Sequence, residues 1–227
     1  MAVFVVTDPA SLASAPMSGQ APPSSVLTRL RLETRSEHEA VEKVLDLMGA
    51  THIAGDYRQR LEQFYGFYAP LEAALQARCA TPQLAPLLLR LNKTLLLQQD
   101  LLHLGVATPT LALCRKLPPL RTHAQVLGCM YVMEGATLGG RLITQHVQAR
   151  FAILPATGGS FFEGYGAATG QMWQAMRQLL VSGSVDTSTE NAIVASAIAT
   201  FASLRGWCEL TNAIHNNEND PEAEQSA

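Results

Sequence analysis

The chain has 227 residues, of which 48% are hydrophobic and 15% charged, with a formal net charge of -3. That apolar share suffices for one substantial core, and the length requires no second domain. The slight acidity excludes a general electrostatic affinity for nucleic acid, and no apolar run is expected to reach membrane-spanning length. Four cysteines, at 79, 114, 129 and 208, make no Cys-x-x-Cys pair and no compact metal-site spacing, so free thiols in a cytoplasmic protein are expected. The opening Met1–Val6 run is too short, and too poor in basic residues, for a signal peptide.

Leucine, alanine and glutamine recur through the middle while strand-forming runs are few, so the expected fold class is all-α. Residues 1–24 are rich in Ala, Ser and Pro and read as a flexible arm, in which Val3 to Val6 offers at most a short edge strand. A first helix is expected from Ser24 or Ser25, as cap, to about Met48, with Leu27, Leu30, Thr34, His38, Val41, Val44, Leu45 and Met48 at helical spacing. His38 lies on that apolar stripe, where a core or boundary histidine is the ordinary reading and an iron or metal ligand the sharper one. Glu42 stands one turn on, within reach of its second ring nitrogen. Arg31 and Arg35, also one turn apart, suit either a solvated face or anionic groups at a pocket mouth.

A second helix is expected over Tyr57–Cys79, bent or split at Pro70, with aromatics at 64, 65, 67 and 68 around Gly66. A third runs from about Gln83 to His103, with Asp100 and His103 as a local cap or salt bridge, and Gly105 ends it. The central helix starts near Thr122 and continues to about Phe151. Residues 155–166 read as a loop, Thr169 caps the next helix, and a last helix spans about Thr189–Ile214. The domain is therefore taken as 25–214, followed by a polar, acidic tail over 215–227.

The central helix contains Met130-Tyr131-Val132-Met133-Glu134-Gly135-Ala136-Thr137-Leu138-Gly139-Gly140-Arg141. Gly135 and Gly139, four apart, share one side of a helix, and Gly140 adds a bare position beside them. Each glycine costs about 0.5–1 kcal/mol of helix stability relative to alanine, which calls for a compensation. Two fit equally well: a backbone laid against a flat ligand, or close helix–helix packing.

Four stretches together carry a family resemblance. Leu30-Arg31-Leu32-Glu33-Thr34-x-x-x-His38 resembles the start of the proximal helix of haem oxygenases, and the stretch from Tyr131 to Arg141 resembles their distal helix. Phe64-Tyr65-Gly66-Phe67-Tyr68-x-Pro70-Leu71-Glu72 and Phe162-x-Gly164-Tyr165-Gly166-x-x-Thr169-Gly170-x-Met172-Trp173 look like further landmarks in the expected order. The likeness covers residues 25–212 and is nearest to the bacterial branch associated with bacteriophytochromes.

The resemblance implies a single-domain helical bundle with haem held between a proximal helix and a kinked, glycine-rich distal helix. It makes His38 the axial ligand of the iron, with Gly135, Gly139 and Gly140 letting the distal backbone approach the catalytic face. Arg31 matches a position that pairs with a haem propionate; Arg177 is a second candidate for that role, and Tyr131 lies at the pocket. Haem is then both cofactor and substrate, opened with O2 and external electrons to biliverdin, carbon monoxide and ferrous iron. A separate ferredoxin or reductase is the implied electron donor, and a bacteriophytochrome an implied acceptor of biliverdin. The sequence departs from mammalian-type relatives at Ala136, where they carry an aspartate that orders water; Tyr131, Glu134 and Arg141 are the candidates to replace it. Two alternatives remain: a haem carrier or sensor without turnover, for which Ala136 speaks, and a thiaminase-like enzyme using Cys129 with Glu134.

Overall fold

The computed structural model describes residues 25–49, 53–79 and 81–218, and the expected N-terminal arm with its Val3–Val6 segment lies outside them. Among the described residues there is no strand, and the helices are α1 (Val26–Glu33), α2 (Arg35–Leu45), α3 (Ala54–Arg78), α4 (Lys93–His103), α5 (His123–Phe151), α6 (Ser160–Glu163), α7 (Thr169–Gly183) and α8 (Thr187–Glu218). The all-α expectation holds. The long α5 is the axis of the bundle, packed along α8 and α7 and crossed by α6, while α3 pairs with α4 and α2 lies on α8.

Local chemistry explains where the helices begin and stop. Ser25 caps α1 through Thr28 N, and Thr122 caps α5 through Gln125 N while the Gln125 side chain accepts from Thr122 N in return. α5 then runs without interruption through Gly135, Gly139 and Gly140. Two glycines in it are explained by packing. A Cβ on Gly128 would overlap the Ile193 carbonyl oxygen of α8, and one on Gly140 would overlap the Phe162 carbonyl oxygen of α6.

The first expected helix is two. Thr34 sits between α1 and α2 with its hydroxyl donating to Leu30 O at 2.7 Å, a back-bond that competes with the regular ladder and bends the chain. α2 also ends earlier than expected, at Leu45, where Asp46 turns left-handed at φ 41°. Pro70, by contrast, does not split α3. The proline has no N–H to give Gly66 O, and the Cys114 N–H fills the place at 2.8 Å. Gly66 itself is bare because the Trp207 ring and Ala112 O stand 2.5 and 2.6 Å from where a Cβ would be.

The expected Gln83–His103 helix is also broken, into a 3-10 stretch Ala85–Arg90 and α4. The buried Glu72 carboxylate accepts from Lys93 N at 2.8 Å and Thr94 N at 2.9 Å, so it caps a new helix start from across the core. Asp100 does not pair with His103 as expected; it accepts from Ser160 N, Ser160 Oγ and Phe161 N, and so caps α6 inside what was read as a loop. Thr169 begins α7 rather than capping it, its hydroxyl donating back to Gly166 O.

α8 continues to Glu218, so the tail expected from 215 starts as exposed helix. Contrary to the sequence expectation, the 31-residue run Thr187–Asn217 is long and apolar enough to cross a membrane by composition. Half of its most apolar window is buried inside the bundle, where Ile193, Ala197, Phe201 and Leu204 join the core. Burial against α5 accounts for that hydropathy without a membrane.

Candidate functional site

His38 comes from the inner face of α2, one turn before the buried Val41. Its ring is half-buried and meets Phe201 of α8 edge-on, with centroids 5.4 Å apart. The neighbouring Glu37 carboxylate pairs with Arg205 of α8 at 3.1 Å, which fixes α2 along α8. The facing wall is α5, where Tyr131, Val132, Gly135 and Ala136 line the same cavity; Phe64 and Tyr68 of α3 close one side and Phe201 and Leu204 another. Apart from His38 and the phenols of Tyr68 and Tyr131, that lining is apolar.

Tyr131 is buried between α1 and α7. Its ring packs 5.8 Å from that of Trp173, and burial pushes its phenol up to about 12, with the Thr34 hydroxyl and the Arg31 charge pulling the other way. Arg31 is therefore close enough to act on Tyr131 while its own side chain stays exposed. Arg177 lies one turn beyond Trp173 on α7, half-buried, and does not line the His38 cavity. Gly139 is buried within α5. Gly140 is taken up by its contact with α6, so of the three sequence-marked glycines only Gly135 lines the cavity beside His38. Arg141 is exposed on α5.

A second, smaller cavity adjoins the first, sharing Phe64, Tyr68 and Ala136 and adding Lys93, Met133, Thr137, Phe161 and Phe162. Below it is a group of charges the sequence reading did not assemble. Glu134, 1% exposed, accepts from Arg90 and, at 2.9 Å, from the Tyr165 hydroxyl, while Lys93 Nζ lies 3.7 Å away and 4.1 Å from the centre of the Tyr165 ring. Burial pulls the Lys93 ammonium below the ordinary lysine range, and Glu134 and Glu72 only partly restore it. The signal for this cluster was present: Arg90 and Lys93 interrupt the leucine-rich Leu87–Leu97 run, and Glu134 interrupts an equally apolar one. Charges inside apolar periodicity point to burial with partners.

The thiaminase-like alternative finds no site. Cys129 is fully buried, its thiol pushed up to about 12 by desolvation and paired with Thr200, and Glu134 is committed to Arg90 and Tyr165.

The donor chemistry fits haem. One imidazole lines a mostly apolar cavity together with Gly135 and Ala136, which add little bulk to it. The cavity between these side chains is about 20 Å³.

A mostly apolar slot lined from α2, α3, α5 and α8, with one histidine in it, is the candidate site of this all-α protein. The chain belongs to the haem oxygenase family, whose model, described as "Heme oxygenase", matches residues 24–209. Its fold is similar to that of haem oxygenase from Neisseria meningitidis, solved with NO and CO bound, at TM-score 0.67 and 19% identity over 83% of this chain and 92% of that one. The Leptospira interrogans haem oxygenase gives TM-score 0.67 and 23% identity over 81% of this chain and 98% of that one. No curated protein sequence matches the chain.

Proposed function

We propose that the protein is a biliverdin-producing haem oxygenase, with His38 as the iron ligand. One observation carries the reading: His38, Gly135 and Ala136 line one mostly apolar slot, in a chain of this family. Bound haem supplies the oxygen chemistry, with electrons delivered by a separate ferredoxin or reductase. The chain's own tasks are to ligate, to orient and to exclude water. His38 offers a neutral imidazole from the half-buried face of α2. Gly135 keeps the space over the opposite face open, and Phe64, Val132, Phe201 and Leu204 keep bulk water out. Arg31, whose charge acts on Tyr131, is the cation for a propionate, with Arg177 on α7 a second candidate, and such pairing would orient the macrocycle in the slot. We further propose a cytoplasmic protein of the bacteriophytochrome-associated branch, handing biliverdin to such a photoreceptor.

The second reading, a haem carrier or sensor, draws on Ala136, where no carboxylate is available to order water. A haem titration followed by reduction under oxygen with catalase present separates the two. Wild type should give a histidine-type spectrum that yields to biliverdin absorption, and His38→Ala should lose that spectrum. Stable binding without ring opening would establish the carrier; no specific binding would overturn both.

A further inference from the structure

Among the described residues Lys93 is the one cation that lines the smaller cavity, and the function described so far gives it no task. It is 2% exposed, on the first turn of α4, with its backbone N–H held by Glu72. Its ammonium has three N–H groups to place. One hydrogen bond, to Asn92 Oδ1, is long at 3.4 Å, and the approach to Glu134 Oε1 is longer still at 3.7 Å. Glu134 is already satisfied on both oxygens by Arg90 and the Tyr165 hydroxyl. The Tyr165 ring covers a further face of the ammonium. Lys93 lines the same cavity as Ala136 and Thr137, the α5 residues that follow Gly135. Thr137 spends its own hydroxyl hydrogen on Glu134 O at 2.6 Å, leaving its oxygen as an acceptor.

The titratable and charged groups that face Lys93 are Tyr68 and Glu72 from α3, Arg90 from the preceding 3-10 stretch, Glu134 from α5 and Tyr165 from the segment after α6. Two carboxylates thus meet two cations, and the local charge balances only while Lys93 is protonated. The cavity is about 10 Å³, room for one water at most, and Lys93 with the Thr137 hydroxyl are polar partners for it.

We infer that Lys93 is the positioning residue of the distal side: its ammonium orders water in the Ala136–Thr137 cavity and thereby governs protonation on the open face of the haem slot. It does from beneath α5 what a carboxylate at position 136 would do from α5 itself. The inference rests on haem occupying the His38 slot.

Optical pH titration of the ferric haem complex tests it. The midpoint of the transition from bound water to bound hydroxide reads the charge around the distal face and needs no turnover. A nearby cation favours hydroxide, so Lys93→Met should raise the midpoint by about 1 pH unit and Lys93→Arg should hold it close to wild type. A second measurement leaves the chain unaltered. The protein has three lysines, Lys43, Lys93 and Lys116, so carbon-13-lysine labelling gives three side-chain signals. The one that resists reductive methylation, Lys93, should move on loading with reduced haem and carbon monoxide, while that of Lys116 stays. An unmoved midpoint in Lys93→Met, or an unmoved Lys93 signal on loading, overturns the inference and leaves the haem reading intact. Loss of haem binding in wild type, or its persistence with an unaltered spectrum in His38→Ala, strikes the haem reading first.

Discussion

Gly140→Ala is a sharp test of how α5 is built, because one methyl group sets two opposed effects against each other. In a free helix the change gains about 0.5–1 kcal/mol, since glycine is the more flexible residue. Here the added Cβ would overlap the Phe162 carbonyl oxygen, and the obstacle is backbone that Asp100 pins by capping α6. Overpacking costs about 1–3 kcal/mol, and an obstacle that cannot rotate away belongs at the upper end. The net expectation is a loss of about 2 kcal/mol, worth roughly 4–8 °C in melting temperature for a domain of this size. Gly206→Ala, on α8 with nothing within 4 Å of the new Cβ, is the control and should be neutral or stabilising. Thermal and urea melts of the haem-free proteins by circular dichroism give both values. If Gly140→Ala proved as stable as Gly206→Ala, the close α5–α6 crossing would be wrong, and Gly140 would be available to the ligand after all.

The buried ion pair gives a second expectation. Glu134→Leu leaves Arg90 buried without its carboxylate and should cost about 3–5 kcal/mol in urea unfolding, while adding Arg90→Met should recover much of that loss. An additive double mutant would show that the two side chains do not act as a pair. Alkaline pH gives a third. The Cys129 and Cys208 thiols are both pushed up to about 12 from 9.0 by burial, so as pH rises past 9 the unfolded chain releases these protons first. Their contribution to stability is complete below pH 9 and is lost as pH climbs towards 12, at about 1.4 kcal/mol per pH unit for each thiol. Urea midpoints between pH 8 and 10 should fall accordingly, and Cys129→Ala should flatten the slope; equal slopes would refute the assignment.

Much of the bundle is legible in the sequence because its helices announce themselves through apolar spacing and local caps. Ser25 and Thr122 begin helices through their own side chains, and the stripe carrying His38 and Val41 faces inward as the spacing requires. The breaks are less legible. Nothing near Asn92 says that α4 starts there, because the capping carboxylate, Glu72, is 21 residues away on another helix. Asp100 likewise finds its partners 60 residues on. The glycine cluster was ambiguous for the same reason: Gly140 is bare on account of a carbonyl on α6, whereas Gly135 lines the slot. Lys93 and Arg90 inside a leucine-rich run signal burial, but their partners Glu134, Tyr165 and Glu72 come from distant parts of the chain and only the fold assembles them.

The proline in α3 has a consequence for how this chain tolerates change. Pro70 frees one carbonyl on a buried helix, and the irregular connector after α4 fastens to it through Cys114 N–H. That stitch helps to fix the alignment of a segment with little regular structure of its own. Residues inserted between Gly105 and Leu111 would be absorbed as slack upstream of the stitch. A deletion that slid Cys114 out of line would leave Gly66 O stranded under Trp207. The connector is thus tethered to α3 at Cys114 and to α8 at Lys116, through Ser203, with slack upstream of both.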